Sequence, residues 1–223
     1  MSYTTSEFGL TEDQKIIRKS LSDMLCDVFT PEMIRHHDEN SLFPYEAYSA
    51  LAKNGWLGLP HESSYGGTDG SIKDLVVMIE AIAKHNVQLA SAYMASAIYG
   101  GLQIRHGGTV KQKETILPGV IRGDTRMAIC ITEPEVGSDV ASIRTSATKD
   151  GNDYIINGQK CYITCAHVAH YLVVAAKTDP AAGHRGITLF LVDTKSEGLT
   201  IRPLKGLGRR MIHTNEVFFD HVR

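Results

Sequence analysis

A segment near the middle of the chain joins apolar residues to a turn rich in hydroxyl and carboxylate groups. Its sequence is ICITEPEVGSD, residues 129–139. Backbone N–H groups freed by such a turn, with the hydroxyls of Thr132 and Ser138, can bind an anionic or carbonyl-rich ligand. The same residue types are common in ordinary surface turns. The pattern therefore indicates a candidate binding turn and leaves a plain surface turn open.

A second candidate segment follows about twenty residues later, with the sequence NGQKCYIT, residues 157–164. The Asn157-Gly158 pair predicts a hairpin turn, and residues 161–164 form the returning strand. Side chains two residues apart share a strand face, so Tyr162 and Thr164 should point the same way. A ring there can pack on a planar ligand while the hydroxyl donates to it. An ordinary core strand is the alternative.

Other kinds of site have weaker support. A zinc site is suggested by the ten-residue cluster of Cys161, Cys165, His167 and His170. Its spacing does not separate two ligand pairs as zinc sites do, so we favour buried cysteines and turn histidines and predict no metal. The sequence has no dinucleotide fingerprint after a strand, no P-loop and no nucleophile elbow. A basic turn fits either a phosphate site or a solvated charge run, and contains Lys205, Arg209 and Arg210.

The composition restricts the class of protein. The 223 residues are 43% hydrophobic and 22% charged, with a net charge of −2, which argues against a disordered chain and against a basic nucleic-acid surface. No apolar run reaches the roughly 18 residues that a membrane span needs, and residues 1–10 lack a secretory signal pattern. Four cysteines do not make a disulfide framework. We therefore expect a cytoplasmic protein with neither nucleic acid nor membrane as a partner.

The two parts of the chain have different local signals. Residues 1–125 carry helix signals, including capping boxes that begin at Thr11 and Thr109 and a helix start at Ser71. Residues 126–223 are richer in Val, Ile and Thr and predict several short, evenly spaced strands, as in a barrel or sandwich. The prediction is a multidomain α+β chain with a helical domain at 1–125 and a β domain at 126–223.

The two candidate segments together resemble the acyl-CoA dehydrogenase family. The resemblance lies in T-E-P-x-x-G-S-D, followed at the family's separation by N-G-x-K-x-(aromatic)-I-T. Residues 216–223, EVFFDHVR, resemble the strand that closes the family's middle domain, and residues 60–67 resemble its P-E-x-x-G-G loop, with His61 as a departure. The resemblance implies an N-terminal helical bundle, a middle β-barrel that binds flavin, and the absence from this chain of the family's C-terminal helical bundle.

The resemblance also implies FAD as the cofactor. The first motif would contact the flavin ring through Ile129, Ile131 and Thr132, with Gly137 and Ser138 at the turn. The second motif would cover the flavin with Tyr162, Ile163 and Thr164, the threonine bonding near N5. Ser138 and His184 would lie against the CoA substrate.

The activity that the resemblance implies is α,β-desaturation of an acyl-CoA thioester, with hydride transfer to flavin N5. Such an oxidoreductase of fatty acid metabolism would pass electrons to an electron-transfer flavoprotein and form a homotetramer. The family's catalytic Glu belongs to the C-terminal bundle, so we expect no catalytic residue in this chain and either a fragment, a truncated product or a completing chain. The alternatives are a non-catalytic partner subunit or remnant, and a flavin monooxygenase or oxidase on the same scaffold.

Overall fold

The computed structural model of the chain describes residues 9–223, with a helical part followed by a sheet. The first eight residues, which carry most of the signal-sequence prediction, lie outside the described residues. The helices are α1 Glu12–Val28, α2 Pro31–Asn40, α3 Tyr45–Lys53, α4 Ile72–His85, α5 Val87–Tyr93, α6 Gly101–Gly107 and α7 Val110–Ile121. The strands are β1 Met127–Cys130, β2 Ser146–Asp150, β3 Asp153–Thr164, β4 Tyr171–Lys177, β5 Ile187–Asp193, β6 Leu199–Leu204 and β7 Thr214–Val222. The predicted α+β class, with helices before strands, is confirmed.

Three helices begin at side-chain caps that the sequence predicts. Thr11, Ser71 and Thr109 each accept a hydrogen bond from the backbone N–H three residues on, and the side chain at that third position bonds back to the cap. Each such cap stabilises its helix by about 1 kcal/mol because it satisfies N–H groups that have no partner within the helix. These local signals fix where α1, α4 and α7 begin.

The helix predicted over residues 87–105 is interrupted by a π-helical segment. Helix α5 continues into the π-helix Met94–Gly100 and then into α6. Two features hold this segment against β1: Ser96 Oγ accepts a hydrogen bond from Met127 N at 3.1 Å, and Gly100 lies directly against the Met127 side chain. π-helical turns inside α-helices occur frequently at functional sites.

The seven strands form one curled sheet in the order β1-β4-β2-β3-β7-β6, with β5 paired to β4. The hairpin predicted at Asn157-Gly158 is wrong, because β3 runs without interruption from Asp153 to Thr164. Gly158 has φ +149°, and a Cβ there would lie 2.6 Å from Thr145 Oγ1. The glycine therefore permits a close approach at a register shift between β3 and β7 and does not turn the chain.

The two parts of the chain pack directly on each other. Cys165, Met211 and Ile212 come from the β part, yet they are buried within the hydrophobic core of the helices. A second core fills the inside of the curled sheet. Within residues 9–223, no helix combines the length and the apolar character that crossing a bilayer requires.

Candidate functional site

A cleft of about 200 Å³ opens where the π-helix meets the sheet. It brings both candidate segments together, although they are about twenty residues apart in the chain. Its walls are formed by Ala95, Tyr99, Ile129, Ile131, Thr132, Tyr162, Ile163 and Thr164. Six of these eight residues are ones that the sequence singles out, so the structure brings six of the predicted site residues together in one cleft.

A β-bulge in β3 presents the aromatic residue of the cleft. The register of β3 against β7 shifts between Lys160 and Ile163, and Tyr162 between them has φ +59°. A β-bulge re-aims a side chain relative to a regular strand. Tyr162 is consequently 66% exposed, whereas Ile163 beside it is buried. An exposed aromatic ring above aliphatic walls is suited to packing on a flat ligand.

Two hydroxyl groups, one from each segment, provide the polar contacts of the cleft. The Thr132 hydroxyl has no hydrogen-bond partner among residues 9–223, and Thr164 Oγ1 accepts a hydrogen bond from Arg209 Nη1 at 3.1 Å. The isoleucines supply the apolar surface. This combination fits a planar heteroaromatic ring with hydrogen-bond acceptors along its edge.

A buried ion pair joins the two segments behind the cleft. Lys160 Nζ donates to Glu133 Oε1 at 2.8 Å and to the Ile131 carbonyl at 2.9 Å, and its side chain is fully buried. The Cys161 N–H also donates to the Thr132 carbonyl at 2.9 Å. These bonds cross from β3 to the turn, so they fix Thr132 relative to Tyr162 and Thr164.

The environment of this ion pair explains how both charges are retained. Burial raises the pKa of the Glu133 carboxyl, but hydrogen bonds from Lys160 and Thr145 and from the Arg144 N–H hold that pKa below its ordinary value. Burial lowers the pKa of Lys160, and the contact with Glu133 opposes that shift. The Glu133 carboxylate is thus held in the interior by these contacts. Among the residues that line the cleft there is no carboxylate.

The remaining predicted site residues lie elsewhere. Gly137 and Ser138 are exposed in the turn after Val136 and do not line the cleft, and His184 is exposed in the short helical segment Pro180–Gly186. That segment packs against the helical turn Val140–Ser142, which closely follows Ser138. The structure therefore places the two predicted CoA contacts, Ser138 and His184, in neighbouring loops apart from the ring-binding walls.

The sequence reasoning did not identify two cleft residues, Ala95 and Tyr99, which come from the π-helix. The sequence indicates them only weakly, because they lie in a helical segment rich in small residues. In the structure, Tyr99 is a large side chain that is 47% exposed. Across the described part of the chain, no group of three or more His, Cys, Asp or Glu side chains is arranged to hold a metal ion.

A larger open groove of about 860 Å³ adjoins the cleft, and Tyr162 lines both. Three basic side chains contribute to it, those of Lys205, Arg209 and Arg210, and its lining contains no carboxylate. The groove gives a ligand longer than a ring space to extend beyond the cleft along a positively charged wall.

Both parts of the chain match domains of one known protein family. Residues 11–124 match the family model described as "Acyl-CoA dehydrogenase, N-terminal domain", and residues 128–222 match "Acyl-CoA dehydrogenase, middle domain". The chain belongs to the acyl-CoA dehydrogenase family.

Individual relatives agree with the family assignment. The chain is 35% identical over 215 residues to cyclohex-1-ene-1-carbonyl-CoA dehydrogenase of Geobacter metallireducens, covering 96% of this chain and 56% of that protein. It is 36% identical over 193 residues to the caffeyl-CoA reductase-Etf complex subunit CarC of Acetobacterium woodii, covering 86% and 50%. The crystal structure of an acyl-CoA dehydrogenase from Geobacillus kaustophilus superposes with a TM-score of 0.89 at 32% identity, covering 96% and 57%. The chain thus spans about half the length of these relatives.

Proposed function

We propose that this chain forms the flavin-binding part of an FAD-dependent acyl-CoA dehydrogenase that introduces an α,β double bond into an acyl-CoA thioester. The observation that carries the proposal is the single cleft built from both segments, with Thr132 and Thr164 at its rim and Tyr162 over it. Family membership supports the same reading.

In this proposal the chain's own residues bind and orient the ring. Ile129, Ile131 and Ile163 provide the apolar surface, and the hydroxyls of Thr132 and Thr164 hydrogen-bond the edge of the ring. The ion pair behind them keeps the two hydroxyls at a fixed separation. When bound, FAD supplies the hydride acceptor for the desaturation. Ser138 and His184, on neighbouring loops, contact the CoA part of the substrate.

Proton abstraction requires a base from outside residues 9–223. The cleft has no carboxylate in its lining, and Glu133 is held in its buried ion pair. General base catalysis needs a proton-accepting group, which the family resemblance makes a Glu carboxylate, within hydrogen-bonding distance of the α-proton. In the whole protein we therefore assign this role to a residue outside residues 9–223.

Anaerobic titration of the full-length gene product with a panel of acyl-CoA thioesters tests the proposed function. Dehydrogenation predicts that the absorbance of the oxidised flavin is lost with at least one saturated thioester. A flavoprotein whose absorbance no saturated thioester changes would instead be a reductase, a non-catalytic subunit, or, if it consumes oxygen, an oxidase or monooxygenase. A protein that takes up no FAD would contradict the proposal entirely.

Reduction of an α,β-unsaturated thioester is a second candidate function. The relative from Acetobacterium woodii is named as a reductase, and a further relative from Clostridium sporogenes, 33% identical, is a 3-(aryl)acrylate reductase. Mixing the photoreduced protein with unsaturated thioesters distinguishes the directions. Rapid reoxidation, without bleaching of the oxidised protein by saturated thioesters, would favour the reductase.

The wider setting of the protein is also part of the proposal. An electron-transfer flavoprotein is the proposed partner, supported by the name of the Acetobacterium woodii relative. We propose a homotetramer that acts in fatty acid metabolism in the cytoplasm. The proposed domain boundary lies between Thr125 and Arg126, after α7 ends at Ile121 and before β1 begins at Met127.

A further inference from the structure

A guanidinium group lies beside the hydroxyl of Thr164. Arg209 Nη1 donates to Thr164 Oγ1 at 3.1 Å, although the two residues are 45 positions apart. Arg209 has φ +59°, a left-handed conformation that is unfavourable for a residue with a Cβ. The loop before β7 thus holds Arg209 in a strained backbone conformation while its side chain reaches the end of β3.

This hydrogen bond determines which hydrogen-bonding capacity of the Thr164 hydroxyl remains for a ligand. A threonine hydroxyl has one hydrogen to donate and two lone pairs, whereas a guanidinium can only donate. Thr164 Oγ1 must therefore be the acceptor in its bond with Arg209. Among residues 9–223 no acceptor receives a hydrogen bond from Thr164, so its hydrogen is available to a ligand in the cleft.

We propose that Arg209 is a positioning residue that acts through Thr164. It fixes the hydroxyl as a donor toward the acceptor edge of the bound ring, and its charge strengthens that donor by polarising it. A ring carbonyl oxygen gains negative charge and no hydrogen when the ring is reduced, so a stronger donor to such an oxygen favours the reduced flavin, and Arg209 would favour it through Thr164. The inference rests on the proposed flavin function and adds a residue that tunes the ring's electron affinity.

The neighbouring residue provides a matched control. Arg210 Nη2 donates to the Glu39 carbonyl at 2.9 Å and makes no hydrogen bond with Thr164. Both arginines are exposed, both line the same groove, and neither has a salt-bridge partner among the described residues. Replacing either one removes the same unit of charge from nearly the same place. Only R209M also removes the bond to Thr164.

The test is the midpoint potential of FAD bound to the full-length protein, in the wild type and in R209M, R210M, T164V and R209M/T164V. We expect R209M to weaken binding of reduced relative to oxidised flavin about tenfold, which is about 30 mV toward more negative potential. R210M should shift it by less than a third of that. The double variant should match T164V, since Arg209 acts through the hydroxyl.

Three outcomes would overturn the inference: an unchanged potential in R209M, an equal shift in R210M, or shifts that add fully in the double variant. R209K keeps the charge and one donating nitrogen, and it serves if R209M does not fold. Its potential should lie between those of R209M and the wild type. A wild type that binds FAD while R209M leaves its potential unchanged refutes only this inference. A wild type that binds no FAD refutes the proposed function as well.

Discussion

The ammonium of Lys160 lies 2.8 Å from a carboxylate oxygen of Glu133, and both side chains are buried. This contact joins β3 to the turn that follows β1, and the same carboxylate accepts the N–H groups of Arg144 and Thr145. The ion pair therefore connects three segments of the chain: β3, the turn after β1, and residues 144–145 before β2. Its position behind the cleft makes it the structural support for the two hydroxyls proposed to bind flavin.

Replacement of Lys160 tests that support. K160M leaves the Glu133 carboxylate buried without its counter-ion, and breaking a buried pair in this way costs about 3–5 kcal/mol. We expect a loss of this size in the free energy of unfolding, measured by urea denaturation. R144Q breaks the exposed Arg144–Glu135 pair and should cost about 0.5 kcal/mol or less.

The double variant K160M/E133Q separates the cost of an unpaired buried charge from the cost of lost hydrogen bonds. It leaves no buried charge, and the amide oxygen of the introduced glutamine can still accept a backbone N–H of Arg144 or Thr145, so it should be more stable than K160M alone. If K160M were as stable as R144Q, or the double variant less stable than K160M, Lys160 would not have the supporting role described.

Replacement of Thr132 tests the hydroxyl that has no hydrogen-bond partner among residues 9–223. T132V keeps the size of the side chain and removes one hydrogen bond to the ring, worth about 1 kcal/mol or more. We expect about a tenfold weaker affinity for FAD, measured by quenching of flavin fluorescence in the full-length protein. T148V, at an exposed position of β2, should leave the affinity unchanged. Equal affinities in T132V and the wild type would place the flavin edge elsewhere.

His61 predicts a specific pH dependence of stability. Its side chain is fully buried with neither ring nitrogen hydrogen-bonded, and burial, with the nearby Arg105 charge, lowers its pKa from 6.5 to about 4. A depressed pKa means that the neutral form is favoured by folding, so its stabilisation is complete above pH 6.5 and is lost as the pH falls toward 4. Between pH 7.5 and pH 5 this amounts to about 2 kcal/mol.

The variant H61Q should therefore lose less stability than the wild type when the pH falls from 7.5 to 5. The comparison uses the pH-dependent change in unfolding free energy, so any constant cost of the substitution cancels. H106Q, at an exposed histidine, should behave as the wild type does. Parallel pH profiles for H61Q and the wild type would contradict the burial of a neutral His61.

Two glycines with positive φ differ in why an alanine would be unfavourable there: at one only the backbone conformation is strained, and at the other an added Cβ would also clash with a neighbour. Gly158 has φ +149°, and a Cβ there would meet Thr145 Oγ1 at 2.6 Å and Thr145 Cα at 2.7 Å. Gly151 has φ +62° and open space around it. G151A should cost about 1 kcal/mol from conformation alone, whereas G158A should cost about 3 kcal/mol or more, because the Thr145 backbone must also move. Thermal denaturation of both variants checks this, and equal costs would refute it.

The sequence predicted best the features that depend on nearby residues. The caps at Thr11, Ser71 and Thr109 use partners three residues away, so their helices begin where expected. The cleft residues of the two segments were also anticipated, through the family resemblance. In contrast, Asn157-Gly158 carried a strong local turn signal that was overruled, because β3 pairs with β2 and β7 along its length.

Long-range contacts account for what the sequence did not predict. No sequence pattern near Lys160 identifies it as the partner of Glu133, which is 27 residues away. In the sequence, a lysine that will be buried cannot be distinguished from an exposed lysine of a strand. The Arg209–Thr164 bond spans 45 residues and depends on where the loop before β7 folds back. Ala95 and Tyr99 reach the cleft only because the π-helix packs on β1.

The most direct test of the central claim is a crystal structure of the full-length protein purified with FAD. We expect the flavin ring in the cleft, with its edge within hydrogen-bond distance of the Thr132 and Thr164 hydroxyls and Tyr162 packed against it. A ring bound at any other place, or a colourless protein that takes up no FAD, would contradict the account.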